Sequence, residues 1–292
     1  MSTPFAEEAL ADVRPVPSSP LGRARRALAA LAADPVEFYT RVASIVSEWP
    51  ERGRAIRPYA ADENWDAELD AWLGAPADGE VKAEVAAVWT DALARMTTHG
   101  IAAGPMSYLG WNDGDLGLAR AAWRLVRRLK ATRVVETGVA HGVTSCFVLE
   151  ALAKNGGGHL WSIDLPPMLH PELHSQIGVA VDERRKGSWT YVKGSSRRRL
   201  PAVLKRAAPI DLFIHDSKHS TENVLFELKR AWAALRPGGA VVVDDVDANN
   251  GFHRFCKMVD HDRAWVCEAE PVRPDERRVN RKGYFGVVLK PA

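Results

Sequence analysis

The sequence predicts an α/β fold: a doubly wound, Rossmann-like sheet preceded by an α-helical N-terminal region. Three observations point there. From Arg133 onward, short β-branched runs alternate with helix-like segments, the pattern of a parallel sheet covered on both faces. The first of these runs, "RVVET", enters a glycine turn and then the apolar segment "VTSCFVLEALAK". Up to about residue 110 the chain is instead Ala-rich with helical spacing.

In chain order, "EVKAEVAAVWTDALARM" places Val81, Val85, Val88, Trp89, Ala92, Leu93 and Met96 on one helical stripe. Five of the ten tryptophans lie between Trp49 and Trp111. They suit helix packing better than a pocket for an aromatic or sugar ring. "THGIAAGPMSYLGWNDGD" reads as a glycine-rich joint, and "LGLARAAWRLVRRLK" as a helix with a basic last turn. Parallel strands are expected at "RVVET", "HLWSID", "WTYVKG", "DLFIHD" and "AVVVDD". Helices are expected at 143–154, about 172–185, 197–208 and 221–236, the last stopped by "LRPGG". "AWVCEAE" and "YFGVVLK" leave no room for a crossover helix and should form a final antiparallel pair. The division this implies is a helical region over 1–110 and the sheet domain over 111–292.

The 292 residues, 46% hydrophobic, suffice for one large domain or two small ones. No apolar run is long enough to span a bilayer. The first twenty residues, acidic and proline-containing, do not read as a secretory signal and are expected to form a frayed arm. Cys146, Cys256 and Cys267 lie far apart without a CxxC pair, which fits a reducing, cytoplasmic setting; Cys146 is expected to be a buried thiol. The net charge of +2 hides an asymmetry: residues 1–100 hold ten Lys/Arg against sixteen Asp/Glu. The basic clusters "DERRKG", "SSRRRL" and "RPDERRVNRK" are short, broken by acids and free of interleaved aromatics. They read as solvated surface rather than a nucleic-acid groove.

The turn "ETGVAHGVTS" lacks the G-x-G-x-x-G of a dinucleotide site and the G-x-x-x-x-G-K-[ST] of a P-loop. What remains is an acid-led E-x-G-x-x-x-G turn, suited to a ligand with an amino-acid moiety and no phosphate. The next strand ends in Asp164, whose carboxylate can accept hydrogen bonds from both hydroxyls of a ribose; the alternative is a loop cap before the prolines. With these two signals the chain resembles the class I S-adenosylmethionine-dependent methyltransferases over about residues 115–292. It is closest to small-molecule O-methyltransferases of the catechol and antibiotic or macrolide-sugar kinds. The resemblance implies S-adenosylmethionine as cofactor, with Glu136, Thr137, Gly138 and Gly142 bordering its methionine part. Asp164 would hold the ribose, and Ser195 and Ser196 would lie beside the adenine, although Ser195 can equally cap the next helix.

Two further strands end in acids: His215-Asp216, followed by Lys218 and His219, and Asp244-Asp245. In an open α/β sheet, ligands collect outside the carboxyl ends of the strands, so these acids should converge beside the cofactor. Clustered carboxylates repel unless a cation or protons intervene, and all-oxygen donors favour Mg²⁺, Mn²⁺ or Ca²⁺ over zinc. The resemblance implies a metal site of Asp216, Asp244 and Asp245, with Asp216 also touching cofactor or substrate. The alternative is an acid that contacts cofactor or substrate without a metal. His219 is the candidate general base, against an outer ligand or helix cap, and Lys218 the candidate stabiliser of a developing oxyanion. His141, placed against substrate or solvent, is given no chemistry. The expectation is a small-molecule methyl acceptor, with the helical N-terminal region as lid, substrate-selecting cap and surface for a homo-oligomer. The alternatives are a metal-independent N- or O-methyltransferase and an S-adenosylmethionine-binding protein without turnover. An NAD oxidoreductase is disfavoured by the glycine spacing.

Overall fold

In a computed structural model of the protein, residues 19–48, 59–62, 64–74, 79–101, 115–165, 171–259, 264–270 and 283–292 are described. The N-terminal arm up to Ser18, residues 102–114 of the glycine-rich joint, and the "RPDERRVNRK" cluster lie outside them. The strands are β1 (Arg133–Thr137), β2 (His159–Asp164), β3 (Trp189–Lys193), β4 (Ile210–His215), β5 (Leu235–Val243), β6 (Ala264–Glu268) and β7 (Tyr284–Leu289). They form one seven-stranded sheet in the order β3-β2-β1-β4-β5-β7-β6. Strands β1 to β5 are parallel, and β7 runs antiparallel between β5 and β6. This is the doubly wound sheet with a final antiparallel pair that the sequence implied.

Successive strand residues face opposite layers, and both layers are apolar, as parallel strands buried on two sides require. Val134, Leu212, Ile214, Ala240 and Val242 face one core, shared with α5 (Leu116–Arg128) and α6 (Val143–Lys154). Val135, Phe213, Val241 and Val243 face the other, shared with α7 (Ser196–Ala207), α8 (Thr221–Ala234) and α9 (Gly251–Met258). The first core also takes in α3 (Trp65–Trp72) and α4 (Gly79–Thr98). The α4 stripe is buried as its spacing predicted at Val81, Val85, Val88, Ala92 and Met96, with Trp89 and Leu93 packed beside it. Trp65 is buried against Phe285, ring centroids 5.3 Å apart, so it packs helix on sheet. The remaining helices, α1 (Pro20–Ala33) and α2 (Pro35–Glu48), pack on each other.

Two expected elements differ. Instead of a helix over 172–185 there are two 3₁₀ turns, Pro171–Gln176 and Glu183–Ser188. Between them Gly178 sits at φ +71°, where a Cβ would lie 2.3 Å from the Trp189 ring, so the chain turns under that indole and cannot continue helically. "LRPGG" does not merely stop α8. Leu235 already pairs with Ile210, and after a register shift the pairing resumes at Leu212 and Ala240, so the motif is an irregular first part of β5. Cys146 is buried as expected, and burial pushes its thiol pKa up to about 11. Most of the described basic residues in these clusters pair with acids: Arg184 with Asp182, Arg185 with Glu150, Lys186 with Glu183, and Arg198 with Asp34 and Glu37. Among the described residues no helix is long and apolar enough to cross a membrane.

Asp115 starts α5. Its Oδ1 accepts the backbone N–H of Gly117 and that of Glu270, both at 2.8 Å. The residue as a whole is half-buried, but Oδ2 is closed off from solvent and has no partner. Burial raises its pKa to about 7. A carboxyl raised in the folded state binds more protons there than in the unfolded chain. Its contribution to stability is therefore lost as pH rises from about 4 through 7. Asp115→Asn keeps the Oδ1 acceptor and removes the titration. Urea unfolding of this variant should show a flatter decline in stability than the parent between pH 4 and 7; parallel curves would refute the assignment.

Candidate active site

The C-terminal ends of β1, β2, β3, β4 and β5 form one edge, and backbone bonds hold its loops level. The Asp216 N–H donates to Thr137 O at 2.8 Å and the Asp244 N–H to His215 O at 2.8 Å. Gly138 makes the first turn feasible: at φ +88°, a Cβ there would lie 1.8 Å from the Asp216 carbonyl oxygen. Gly142 (φ +82°) is the N-cap of α6. Glu136 is fully buried beneath this turn. Its Oε2 accepts the Ser145 hydroxyl at 2.6 Å and the Ser162 hydroxyl at 2.7 Å, Oε1 has no protein partner, and burial raises the pKa to about 8. Asp164 accepts the backbone N–H groups of Val139 (3.2 Å), Ala140 (2.9 Å) and Leu165 (2.6 Å). A carboxylate has about four acceptor sites, so capacity for a ligand hydroxyl remains.

Thr137 and Ser196, expected beside the cofactor, have their hydroxyls directed elsewhere. Thr137 Oγ1 donates to Glu227 Oε2 at 2.5 Å, and Ser196 also hydrogen-bonds Glu227. Glu227, from α8, is wholly buried and further accepts from His215 Nδ1 (2.7 Å), Ser217 (2.8 Å) and Asn223 (2.8 Å). Burial alone would raise its pKa. The His215 charge and these hydrogen bonds outweigh that and hold it down to about 2. Glu227 thus ties the β1 end and the β4–α8 loop together. No motif marked it in the sequence. His141 is buried rather than solvent-facing, with Nε2 3.4 Å from Gln176 Oε1 and its pKa lowered by burial to about 4.

At the β4 and β5 ends, Asp216, His219 and Asp244 each offer one ligand atom within 4.8 Å of the others. This set differs from the expected three acids. Asp245 adopts a left-handed backbone (φ +49°, ψ +43°) and turns its carboxylate onto His219, Oδ2 to Nδ1 2.7 Å. His219 Nε2 then faces Asp216 Oδ1 at 3.7 Å and Asp244 Oδ2 at 3.8 Å, and it has no hydrogen-bond partner. Burial raises the pKa of Asp216, and it raises that of Asp244 further with the charges of Asp216 and Asp245. The two side chains keep 38% and 21% of their surface, so the mutual repulsion is the part that a cation or a shared proton relieves.

Helix α2 lies across this edge, which the sequence did not reveal. Glu37 Oε2 accepts from Ser195 N (3.3 Å), Ser195 Oγ (3.1 Å) and Arg198 Nη1 (3.2 Å) at the β3 end. One turn on, the charge of Arg41 acts on Asp164 at the β2 end. Another turn on, Ser44 Oγ accepts from Lys218 Nζ at 2.6 Å beside β4. Lys218 is therefore tied to α2, and burial lowers its pKa.

Residues 135–246 match a family model described as a methyltransferase domain. The match spans the glycine turn, Asp164, Ser195, the β4–α8 loop and both acids after β5, and it agrees with the class I resemblance. Among solved structures, the chain is similar to the O-methyltransferase TomG from Streptomyces achromogenes, involved in tomaymycin synthesis and in complex with SAM. Identity is 18% and the TM-score 0.48, covering 78% of this chain and 96% of that one. It is also similar to an O-methyltransferase from Bacillus cereus in complex with SAH (15%, TM-score 0.47, 78% and 98%). A third similar structure is MycE from the mycinamycin biosynthetic pathway, in complex with Mg and SAH (17%, TM-score 0.40, 69% and 54%). Among curated proteins none matches this chain.

Proposed function

We propose that the protein transfers a methyl group from S-adenosylmethionine to an oxygen of a small molecule, assisted by a divalent cation. The observation that carries this reading is the grouping of Asp216, Asp244 and His219 at the sheet edge, with Asp245 on the far nitrogen of His219. When bound, S-adenosylmethionine supplies an electrophilic methyl on a sulfonium, and a cation of the Mg²⁺ kind supplies charge that acidifies a hydroxyl.

The residues present fit both groups. Glu136 and Asp164 retain acceptor capacity beside the glycine turn, and two hard carboxylates with a partnerless imidazole nitrogen make a donor set for a small divalent ion. Asp216 and Asp244 would hold the cation. His219 Nε2 would take the acceptor's hydroxyl proton as its oxygen bonds to the methyl carbon and the carbon–sulfur bond breaks, its electron pair staying on the sulfur of S-adenosylhomocysteine. Asp245 keeps the other proton on Nδ1 and steadies the imidazolium that forms. A second reading has His219 Nε2 as a third metal ligand, oriented by Asp245 from outside; the three atoms within 4.8 Å favour it. The metal-independent reading has Asp216 and Asp244 sharing a proton, which their closeness and the raised pKa of both favour. Helices α1 and α2 serve as the lid over the cofactor, and the N-terminal region governs the choice of acceptor.

The test is turnover of S-adenosylmethionine to S-adenosylhomocysteine with a panel of hydroxylated acceptors, with and without exhaustive chelation. Chelation should abolish turnover and leave S-adenosylhomocysteine bound. Asp244→Asn should lower the rate far more than cofactor affinity, because one anionic ligand becomes neutral. Undiminished transfer after chelation would reject the cation.

A further inference from the structure

Glu37 comes from outside the matched domain, yet it is the buried side chain of α2. It is 8% exposed, whereas Val36, Tyr39, Val42, Ile45 and Val46 on the same helix are largely exposed. Its two oxygens are used differently. Oε2 accepts from Ser195 and Arg198. Oε1 is closed off from solvent and has no hydrogen bond of ordinary length; the Arg41 guanidinium is ion-paired with it more loosely, Nε at 3.7 Å. A buried carboxylate oxygen whose one nearby cation stands beyond hydrogen-bond length keeps part of its desolvation cost unless a closer donor reaches it.

The donor can be located from the order of strand ends. The glycine turn lies at β1, Asp164 at β2 and Ser195 after β3, so a ligand whose ribose meets Asp164 extends its base toward Ser195 and hence toward Glu37. We propose that Glu37 Oε1 accepts a hydrogen bond from the exocyclic amino group of the adenine, making α2 a reader of the base as well as a cover. This rests on the S-adenosylmethionine reading above. Adenine presents an amino donor where hypoxanthine presents a keto acceptor, and a carboxylate attracts the first and repels the second.

The experiment is calorimetric binding of S-adenosylhomocysteine and of its hypoxanthine counterpart, S-inosylhomocysteine, to the full-length protein and to Glu37→Gln and Asp34→Asn. The parent should prefer the adenine ligand by about tenfold or more, the worth of one charge-assisted hydrogen bond. Glu37→Gln should collapse that preference, since its amide can donate to the keto oxygen. Asp34 also holds Arg198, at 2.8 Å, and caps α2. Asp34→Asn should therefore weaken both ligands alike if it loosens the helix, leaving their ratio unchanged. Three results would overturn the inference while sparing the cofactor reading: a parent that binds both ligands equally, a Glu37→Gln variant that keeps the parental ratio, or an Asp34→Asn variant that collapses the ratio as fully. A parent that binds neither ligand would overturn both.

Discussion

Replacing His219 with alanine is expected to lower methyl transfer by about 10²–10⁴-fold, the range for a positioned general base, while S-adenosylhomocysteine affinity stays near the parental value. The imidazole lies on the acceptor side of the edge, between Asp216 and Asp244, and touches none of the residues assigned to ribose or adenine. Asp245→Asn sharpens the test. The 2.7 Å contact to Nδ1 fixes the proton there and leaves Nε2 as the acceptor. An amide can present its N–H₂ instead, favouring the wrong tautomer, so this variant should lose much of what His219→Ala loses. Single-turnover rates check both. If both variants keep parental rates, His219 is not the base; if His219→Ala also loses a tightly bound cation, the imidazole is a ligand instead.

Asp70→Ala is expected to destabilise the fold by about 3 kcal/mol, the lower end for breaking a buried ion pair. Asp70 on α3 pairs with Arg124 on α5, and both side chains are 4% exposed. The nearest substitute for Asp70 is Asp66, 3.7 Å from Arg124 Nη2, which compensates in part and sets the estimate at the low end. Urea denaturation measures the loss. Combining Asp70→Leu with Arg124→Met should recover much of it, because no charge is then left buried alone. A single variant as stable as the parent would show that the pair does not hold α3 to the sheet domain.

The alternation of strands and helices after Arg133 was legible because the central strands are apolar on both faces, and each helix begins or ends at a glycine, proline or polar cap. The acids at strand ends were legible for a related reason: parallel strands deliver their last residues to one edge. Three parts of the site were not. Glu37 meets Ser195 across 158 positions, and no local pattern announces so distant a contact. Glu227 reads as one acid on an amphipathic helix, and only the fold brings Thr137, His215 and Ser217 around it. Asp245 was read as a third ligand because it ends the same strand as Asp244 at the carboxyl edge of the sheet. Its left-handed backbone, unmarked by any glycine, aims it at His219.

The way α2 is fastened has a kinetic consequence. The described contacts tying it to the sheet domain are polar: Glu37 and Asp34 to the start of α7, and Ser44 to Lys218. Its apolar side chains largely face outward. Polar ties near a surface are worth roughly 0.2–1 kcal/mol each. Three of them together, about 2 kcal/mol, leave the helix detached for a few per cent of the time. On the lid reading proposed above, the spent cofactor would leave, and a fresh one enter, through brief excursions of the helix, without melting any strand or disturbing the edge where His219 and the acids stand.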